Sequence, residues 1–529
     1  MKKENILQST TTLLGHPKGL FYLFATEFWE RFSYYGMRSL LVLYIIDTFF
    51  LNVNETERTS IAYGIFAAYG ALVYATPVIG GIIADRFLGS RKTIVLGAIL
   101  MALGHFLMAL PGTLFFYSAL GLLIVGNGFF KPNISTLVGS LYPDGDQKRE
   151  AGFTIFYMGI NLGAFISPIL CGWLGQKYGW HYGFGLAGIG MLAGLIIFLI
   201  GNKKNVLGNS GFQPAAYATK KHFGLKTETL IYSISIIFVP LFAMLVNLNE
   251  SKIGQFGLMT SILSILGIIV LIKIALHMYN ESKVDAQRLF VIVIFTFISM
   301  IFWSFFEQAG TSLTVFADEN VLLPSWCNAA QTQSINPLFI MIFAIPFSFM
   351  WPALGKKKLN PTTIVKIFIG LFLLGIGFLV FAYSANFMNS IGQVPFIYLV
   401  LGYFILTIGE LCLSPTILSK TTELSPLKIV SFMMGVSLLS SSFAHHLGGF
   451  IAKLTLPSVT SSGNQGLLTQ LASYITGFNT TIDESTVKGI KSLAMSTTVF
   501  AQIGIISIIA SFIILLFSPL IKKLMHGIH

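Results

Sequence analysis

A chain of 529 residues that is 54% hydrophobic and only 10% charged lacks the ionic surface a soluble protein of this size needs. The net charge of +12 does not point to nucleic acid, because the basic residues fall in short clusters between apolar blocks instead of forming one stripe. Three widely spaced cysteines, Cys171, Cys327 and Cys412, form no CxxC and give no basis for a disulfide framework or a zinc site.

The apolar blocks are about 20 residues long, enough to cross a hydrocarbon core of roughly 30 Å as helix. Abundant Phe (48) and Gly (51) suit helices packed in lipid. The first 17 residues lack the apolar core of a signal peptide, so the N-terminus is expected to stay in the cytoplasm. Fourteen spans are predicted, near 21–50, 59–83, 92–111, 113–141, 151–175, 181–201, 228–247, 253–279, 287–316, 335–354, 361–385, 394–419, 427–454 and 495–521.

Basic clusters test that count. The even-numbered connections carry Arg86, Arg91 and Lys92; Lys148 and Arg149; Lys203, Lys204, Lys220 and Lys221; Lys283 and Arg288; Lys356, Lys357 and Lys358; and Lys420 and Lys428. The odd ones are poorer in Lys and Arg and hold Glu55, Glu57, Asp318, Glu319, Asp483 and Glu484. Lys522 and Lys523 follow the last span. An even number of spans with both termini cytoplasmic satisfies this pattern.

The connection GGIIADRFLGSRKT after the second span has a degenerate echo, WPALGKKKLNPTT, after the tenth. Taken as equivalent places, they imply two six-helix halves with an inserted hairpin between them, the layout of the major facilitator architecture. The expected division is an N-terminal bundle over 1–201, a linker and transmembrane hairpin over 202–286, and a C-terminal bundle over 287–529. Pro77, Pro168 and Pro415, with Gly409, are candidate flexing points.

Ionisable residues inside spans are costly unless they face a polar cavity or a partner. They are few here: Glu27, Glu30, Arg31 and Arg38 in the first span, Lys131 in the fourth, Glu307 in the ninth and Glu410 in the twelfth. Glu27, Arg31 and Tyr34 or Tyr35 lie three or four residues apart and share a helix face. Two carboxylates thus flank one permanently charged guanidinium, and protonating either acid changes how much of that charge is left for another anion. Structural ion pairing is the alternative reading of the set.

The segment Glu27-Phe-Trp-Glu-Arg-Phe-Ser-Tyr-Tyr-Gly36 reads ExxERFxYYG. It is followed in order by GGIIADRFLGSRKT (80–93), GNGFFKPN (126–133), FTIFYMGINLGAFISP (153–168), FWSFFEQAGTSL (302–313), QSINPLF (333–339) and GELCLSPT (409–416). These motifs closely resemble those of the proton-dependent oligopeptide transporter family, and the inserted helix pair resembles its bacterial branch.

The resemblance implies an all-α major facilitator fold and a symporter of di- and tripeptides in the inner membrane of a bacterium. It implies that Arg31 and Lys131 hold the peptide carboxylate with the Tyr34 hydroxyl, and that Asn161, Asn336 and Glu410 hold the free amine. A zwitterion of two or three residues, each spanning about 3.3–3.6 Å, suits cations at one end and an acid with amides at the other. Tyr35, Tyr74 and Trp303 are candidate side-chain pocket residues. Glu27 or Glu30, together with Glu307, are the candidate proton carriers, so protons are the coupling ion and no other cofactor is expected.

Alternatives stay open for several of these. Tyr35, Tyr74 and Trp303 also read as packing residues, Asn161 and Asn336 as interhelical hydrogen-bond donors, and Glu410 as a partner of a lysine. His445 and His446 are adjacent, point to different helix faces, and read as packing or polar contacts and not as proton carriers. Mammalian members carry a histidine on the second span where this chain has Ala67, which excludes coupling through that position.

GFGLAG (183–188) fits GxGxxG inside a span and reads as close helix packing. No Walker A, HExxH or GxSxG motif is present, so neither a nucleotide-driven pump nor an intramembrane hydrolase is expected. Symport of another small anion or zwitterion, or peptide sensing without flux, are the competing functions.

Overall fold

In hydrocarbon a chain must satisfy its backbone amides internally, and helices do so within one segment. The computed structural model accordingly consists of helices and their connections, with β structure among the described residues limited to two-residue strand pairs. It describes residues 12–528 except 144–145, 147, 215–216, 218–220, 223, 254–255, 427, 457–465 and 479–486. Lys220, Asp483 and Glu484, used above to orient the chain, lie outside the described residues.

The helices are α1 (Lys18–Thr48), α2 (Glu55–Ala75), α3 (Pro77–Ile83), α4 (Ser90–Met108), α5 (Thr113–Gly139), α6 (Lys148–Tyr178), α7 (Trp180–Lys203), α8 (Thr227–Asn247) and α9 (Leu258–Asn280). They continue with α10 (Lys283–Phe306), α11 (Ser312–Asn320), α12 (Ile335–Lys356), α13 (Thr363–Tyr383), α14 (Phe396–Leu424), α15 (Val430–Lys453), α16 (Leu467–Thr476), α17 (Lys488–Leu516) and α18 (Ser518–Leu524).

Among the described residues, twelve segments are long and apolar enough to cross a membrane. Two more helices have the length: α1 with 31 residues and α15 with 24. Both are unusually polar, α1 through Glu27, Glu30, Arg31 and Arg38, and α15 through its serines and two histidines. Together they make the fourteen predicted spans of a major facilitator fold with an inserted hairpin.

Two spans are broken where the sequence suggested single helices. The second is interrupted only at Thr76, whose backbone stays in the helical region, and resumes with Pro77 in the first turn of α3. The ninth stops at Phe306, passes through a 3-10 turn over Glu307–Gly310, and resumes as α11. Helix α16 was not expected, and α18 is a separate helix after α17 with a proline in its first turn.

The two connections compared in the sequence share one backbone feature. Both copies join helices through a residue with positive φ, Gly89 (74°) in the first and Lys358 (58°) in the second.

By internal contacts the chain forms two units, one of Met1–Leu41 with Leu72–Leu248 and one of Val42–Ala71 with Asn249–His529. This division does not follow the boundaries expected from sequence, and particular contacts explain why. In the first unit α8 lies on α5, where a Cβ on Gly121 would stand 2.5 Å from Val239 O. In the second unit α9 meets α15, with Gly267 facing the Phe443 ring and Thr260 Oγ1 3.0 Å from His446 Nε2. The two hairpin helices therefore belong to different units. The Gly64–Gly70 stretch of α2 also packs on α15, where Ala67 faces Gly449.

Within the first unit, α3, α4 and α5 approach one another through glycine. A Cβ on Gly97 would lie 2.6 Å from Gly126 O, and one on Gly80 would overlap Gly128 O. Thr76 Oγ1 donates to Ile124 O (3.0 Å) and Asn127 Nδ2 to Val73 O (3.2 Å). The GNGFFKPN motif is thus a close-packing surface that fixes the next turn of α5, which carries Lys131. GFGLAG packs α7 in the same way, with Gly183 against Leu40 and Cys171 O and Gly188 against the Phe106 ring.

Gly80→Ala is expected to force α3 from α5 at a cost of about 1–3 kcal/mol. The measurable result is a lower unfolding temperature in detergent, with reduced transport even though no binding residue is altered.

Candidate functional site

On α1 the i, i+4 spacing places Glu27 and Arg31 on one face, and the structure adds Glu30 from the other side. Arg31 Nη2 donates to Glu30 Oε1 at 2.7 Å and its Nε donates to Glu30 Oε2, a two-pronged pair. Glu27 Oε1 lies 3.3 Å from Arg31 Nε. All three side chains are buried. Such a fork holds its anion in a fixed plane and leaves the remaining guanidinium edge for another ligand.

The two acids are not equivalent. Glu30 uses both oxygens on Arg31, whereas Glu27 Oε2 is buried without a hydrogen-bond partner among the described residues.

Tyr34 meets Arg31 with its ring, the guanidinium carbon standing 5.0 Å from the ring centroid. Tyr35 packs edge-on against Tyr34, with Arg38 5.9 Å from its own centroid. Lys131 Nζ sits 4.3 Å from the Tyr74 ring centroid, and its charge is near enough to interact with Arg31, Glu30 and Glu27. Aromatic faces therefore carry both cations. Tyr35 and Tyr74 hold charged residues as well as packing.

Asn161 also belongs to the first unit, whereas Asn336 and Glu410 belong to the second. Its amide nitrogen donates to Tyr157 O (3.0 Å) one turn earlier on α6, so it is not an interhelical donor in this state.

In the second unit Asn336, in the first turn of α12, donates to Glu410 Oε2 (3.0 Å) and to Thr407 Oγ1 (3.0 Å) on α14. The partner of Glu410 here is an amide, not a lysine. The contact joins α12 to α14 and presents a buried carboxyl with one oxygen engaged. Thr407, three residues before Glu410 and on its face, was not singled out from the sequence.

Glu307 occupies the 3-10 turn that interrupts the ninth span. Next to it, Gln308 Nε2 donates to Ser304 O (3.1 Å) and across to Gly448 O of α15 (2.9 Å). Glu307 Oε1 lies 3.6 Å from His445 Nε2. His445, read above as a packing or polar-contact residue, thus faces a candidate proton carrier. His446 does make an ordinary polar contact, to Thr260. The available signal was a second ionisable group in mid-span. Trp303 packs edge-on against Phe302 and Phe306, one turn before Glu307. Among the described residues no group of three His, Cys, Asp or Glu side chains is arranged to hold a metal.

The model of the POT family matches residues 91–468 of this chain. The chain belongs to the POT family. Among its relatives, the uncharacterized transporter YclF of Bacillus subtilis is 37% identical over 99% of both chains. A di-/tripeptide transporter of Lactococcus lactis is 36% identical over 85% of this chain and 92% of its own length. A crystal structure of the peptide transporter POT in complex with sulfate superposes with a TM-score of 0.76 at 34% identity, covering 98% of each chain. The major facilitator fold of this POT member therefore rests on the whole chain and not on its motifs alone.

Arg31→Lys keeps the charge but loses the two-pronged geometry. KM for a dipeptide is expected to rise about tenfold or more, equivalent to at least ~1.4 kcal/mol. Arg31→Ala is expected to abolish uptake and, by leaving Glu30 uncompensated, to lower thermal stability in the same preparation.

Proposed function

We propose that this POT family member imports di- and tripeptides across the cytoplasmic membrane of a bacterium, driven by protons, by alternating access. The observation that carries the reading is the segregation of buried charge. Arg31 and Lys131 lie together in one unit, and Glu410 is held by Asn336 in the other. A zwitterion calls for that division of labour, whereas a simple anion has no use for a buried acid braced by an amide. The di-/tripeptide transporter of Lactococcus lactis supports the substrate class.

In this reading Arg31 and Lys131 receive the peptide carboxylate, with Tyr34 lining the same wall. Glu410 and Asn336 receive the amine, and Asn161 is a further amide assigned to it. Tyr35, Tyr74 and Trp303 supply aromatic surface that accepts many side chains with modest discrimination.

Of the two acids beside Arg31, Glu27 is the proton carrier, because protonation costs it only one hydrogen-bond-length contact, whereas Glu30 would give up two. A neutral Glu27 leaves more of the Arg31 charge for the peptide. Glu307 is the second carrier. One proton moving through 100 mV supplies about 2.3 kcal/mol, which at about 1.4 kcal/mol per tenfold supports roughly fifty-fold accumulation of a neutral peptide. The positive-inside pattern supports a cytoplasmic position for both termini.

Proteoliposomes containing the purified protein should concentrate labelled Ala-Ala under an inward proton gradient and lose that ability when a protonophore is added. Uptake that ignores the protonophore would remove proton coupling. Nitrate or free amino acid taken up in place of Ala-Ala would move the substrate to another class.

Glu410→Ala should weaken Ala-Ala transport strongly while adding little to the poor transport of N-acetyl-Ala-Ala. Equal further losses for both peptides would put the amine elsewhere.

A further inference from the structure

Glu307 needs a partner that tolerates both of its protonation states, and the structure supplies one in its own unit. His445 Nε2 lies 3.6 Å from Glu307 Oε1, within ion-pair range though longer than a hydrogen bond. Both side chains are almost wholly enclosed.

The packing around the imidazole is built to its shape. A Cβ on Gly70 of α2 would stand 2.6 Å from His445 Nδ1, and the Phe66 ring lies 6.4 Å from the imidazole centroid. On the other side, Gln308 ties the 3-10 turn to Gly448 O, one turn beyond His445 on α15. Glycine on α2 and an amide clamp on α15 thus fix the ring and the carboxyl relative to each other.

We infer that His445 is a positioning residue for proton coupling, sharing with Glu307 a single proton that the pair takes from the outer face and gives up to the inner one. The inference rests on the reading of the chain as a proton-driven peptide transporter. With one proton the pair is neutral overall, either as imidazolium and carboxylate or as imidazole and carboxyl. Without it the pair carries one negative charge. The charge change therefore appears at a buried site only when the proton is absent, which is when a second cation or a conformational change must answer for it.

The surroundings suit that role. From α14 the Glu410 carboxyl is near enough for its charge to interact with that of Glu307. At its contact with His445, α2 presents Phe66 and Gly70, neither of which titrates. On α15, His446 turns to Thr260 of α9, and Lys453 forms its ion pair with Glu250. Glu307 and His445 each make interactions beyond their mutual contact, so the pair belongs to a wider network.

The test uses the full chain in proteoliposomes and compares His445→Gln, His445→Leu and Gly70→Ala with the parent. Gly70→Ala removes no titratable group and only crowds the imidazole, so it reports on the pair if a His445 variant fails to fold. Counterflow exchange of Ala-Ala, which needs no net proton movement, should stay within about twofold of the parent. Proton-driven accumulation should fall about tenfold or more in His445→Leu. In His445→Gln and Gly70→Ala the midpoint of the uptake-against-pH curve should move by about one pH unit. In a Glu307→Gln background, His445→Leu should add nothing further.

Superimposable pH curves and unchanged accumulation in the variants would overturn the inference. So would losses that add in the double variant. Failure of the parent itself to exchange Ala-Ala would instead count against the peptide reading.

Discussion

An ion buried in a helical bundle that faces lipid must be answered locally, because neither water nor the hydrocarbon will do so. The charges of this chain are answered in four ways. Arg31 is gripped by the two prongs of Glu30 with Glu27 alongside. Lys131 lies over an aromatic face. Glu410 takes an amide hydrogen from Asn336. Glu307 faces an imidazole. These answers leave different amounts of charge uncommitted, and a transporter works with that remainder. A fully satisfied ion pair has little affinity left for a substrate or a proton. A cation over a ring, or an acid with one oxygen engaged, retains much of it.

Those arrangements depend on helices approaching closely enough to present side chains at fixed distances. Glycine provides this on α3, α4 and α5, where Gly80, Gly97, Gly126 and Gly128 bring backbone against backbone just before the turn that carries Lys131. It provides it again on α2, where Gly70 makes room for His445. Breaks in helices serve the same end. At the 3-10 turn that holds Glu307, the Gln308 side-chain amide donates both to Ser304 O of its own span and to Gly448 O of α15. Irregular backbone in a membrane protein is tolerated where protein covers it.

The inserted hairpin follows from the same packing logic. Among its described residues it carries no buried charge cluster, and its helices are held through ordinary contacts, α8 on α5 in one unit and α9 on α15 in the other. The Lys453–Glu250 ion pair and the contact of Gly64 with Glu250 fasten the connection between them. Helix α2 carries Ala67 on its face toward α15. In this chain an imidazole reaches the same helix from α15, resting against Phe66 and Gly70.

Composition, span length and basic-residue placement by themselves determined a helical membrane protein with fourteen crossings, since those features reflect the thickness of the bilayer and the cost of ions within it. Local spacing also determined the Glu27–Arg31 pairing, because i, i+4 contacts belong to a single helix. Tertiary structure decided whatever depends on distant segments meeting. It chose an amide as the partner of Glu410. It set Asn161 in a different unit from Asn336, divided the hairpin between the units, and brought His445 to Glu307 across 138 positions of sequence. Spacing along a chain carries no record of such encounters, because they are fixed by which helix faces have glycine to spare.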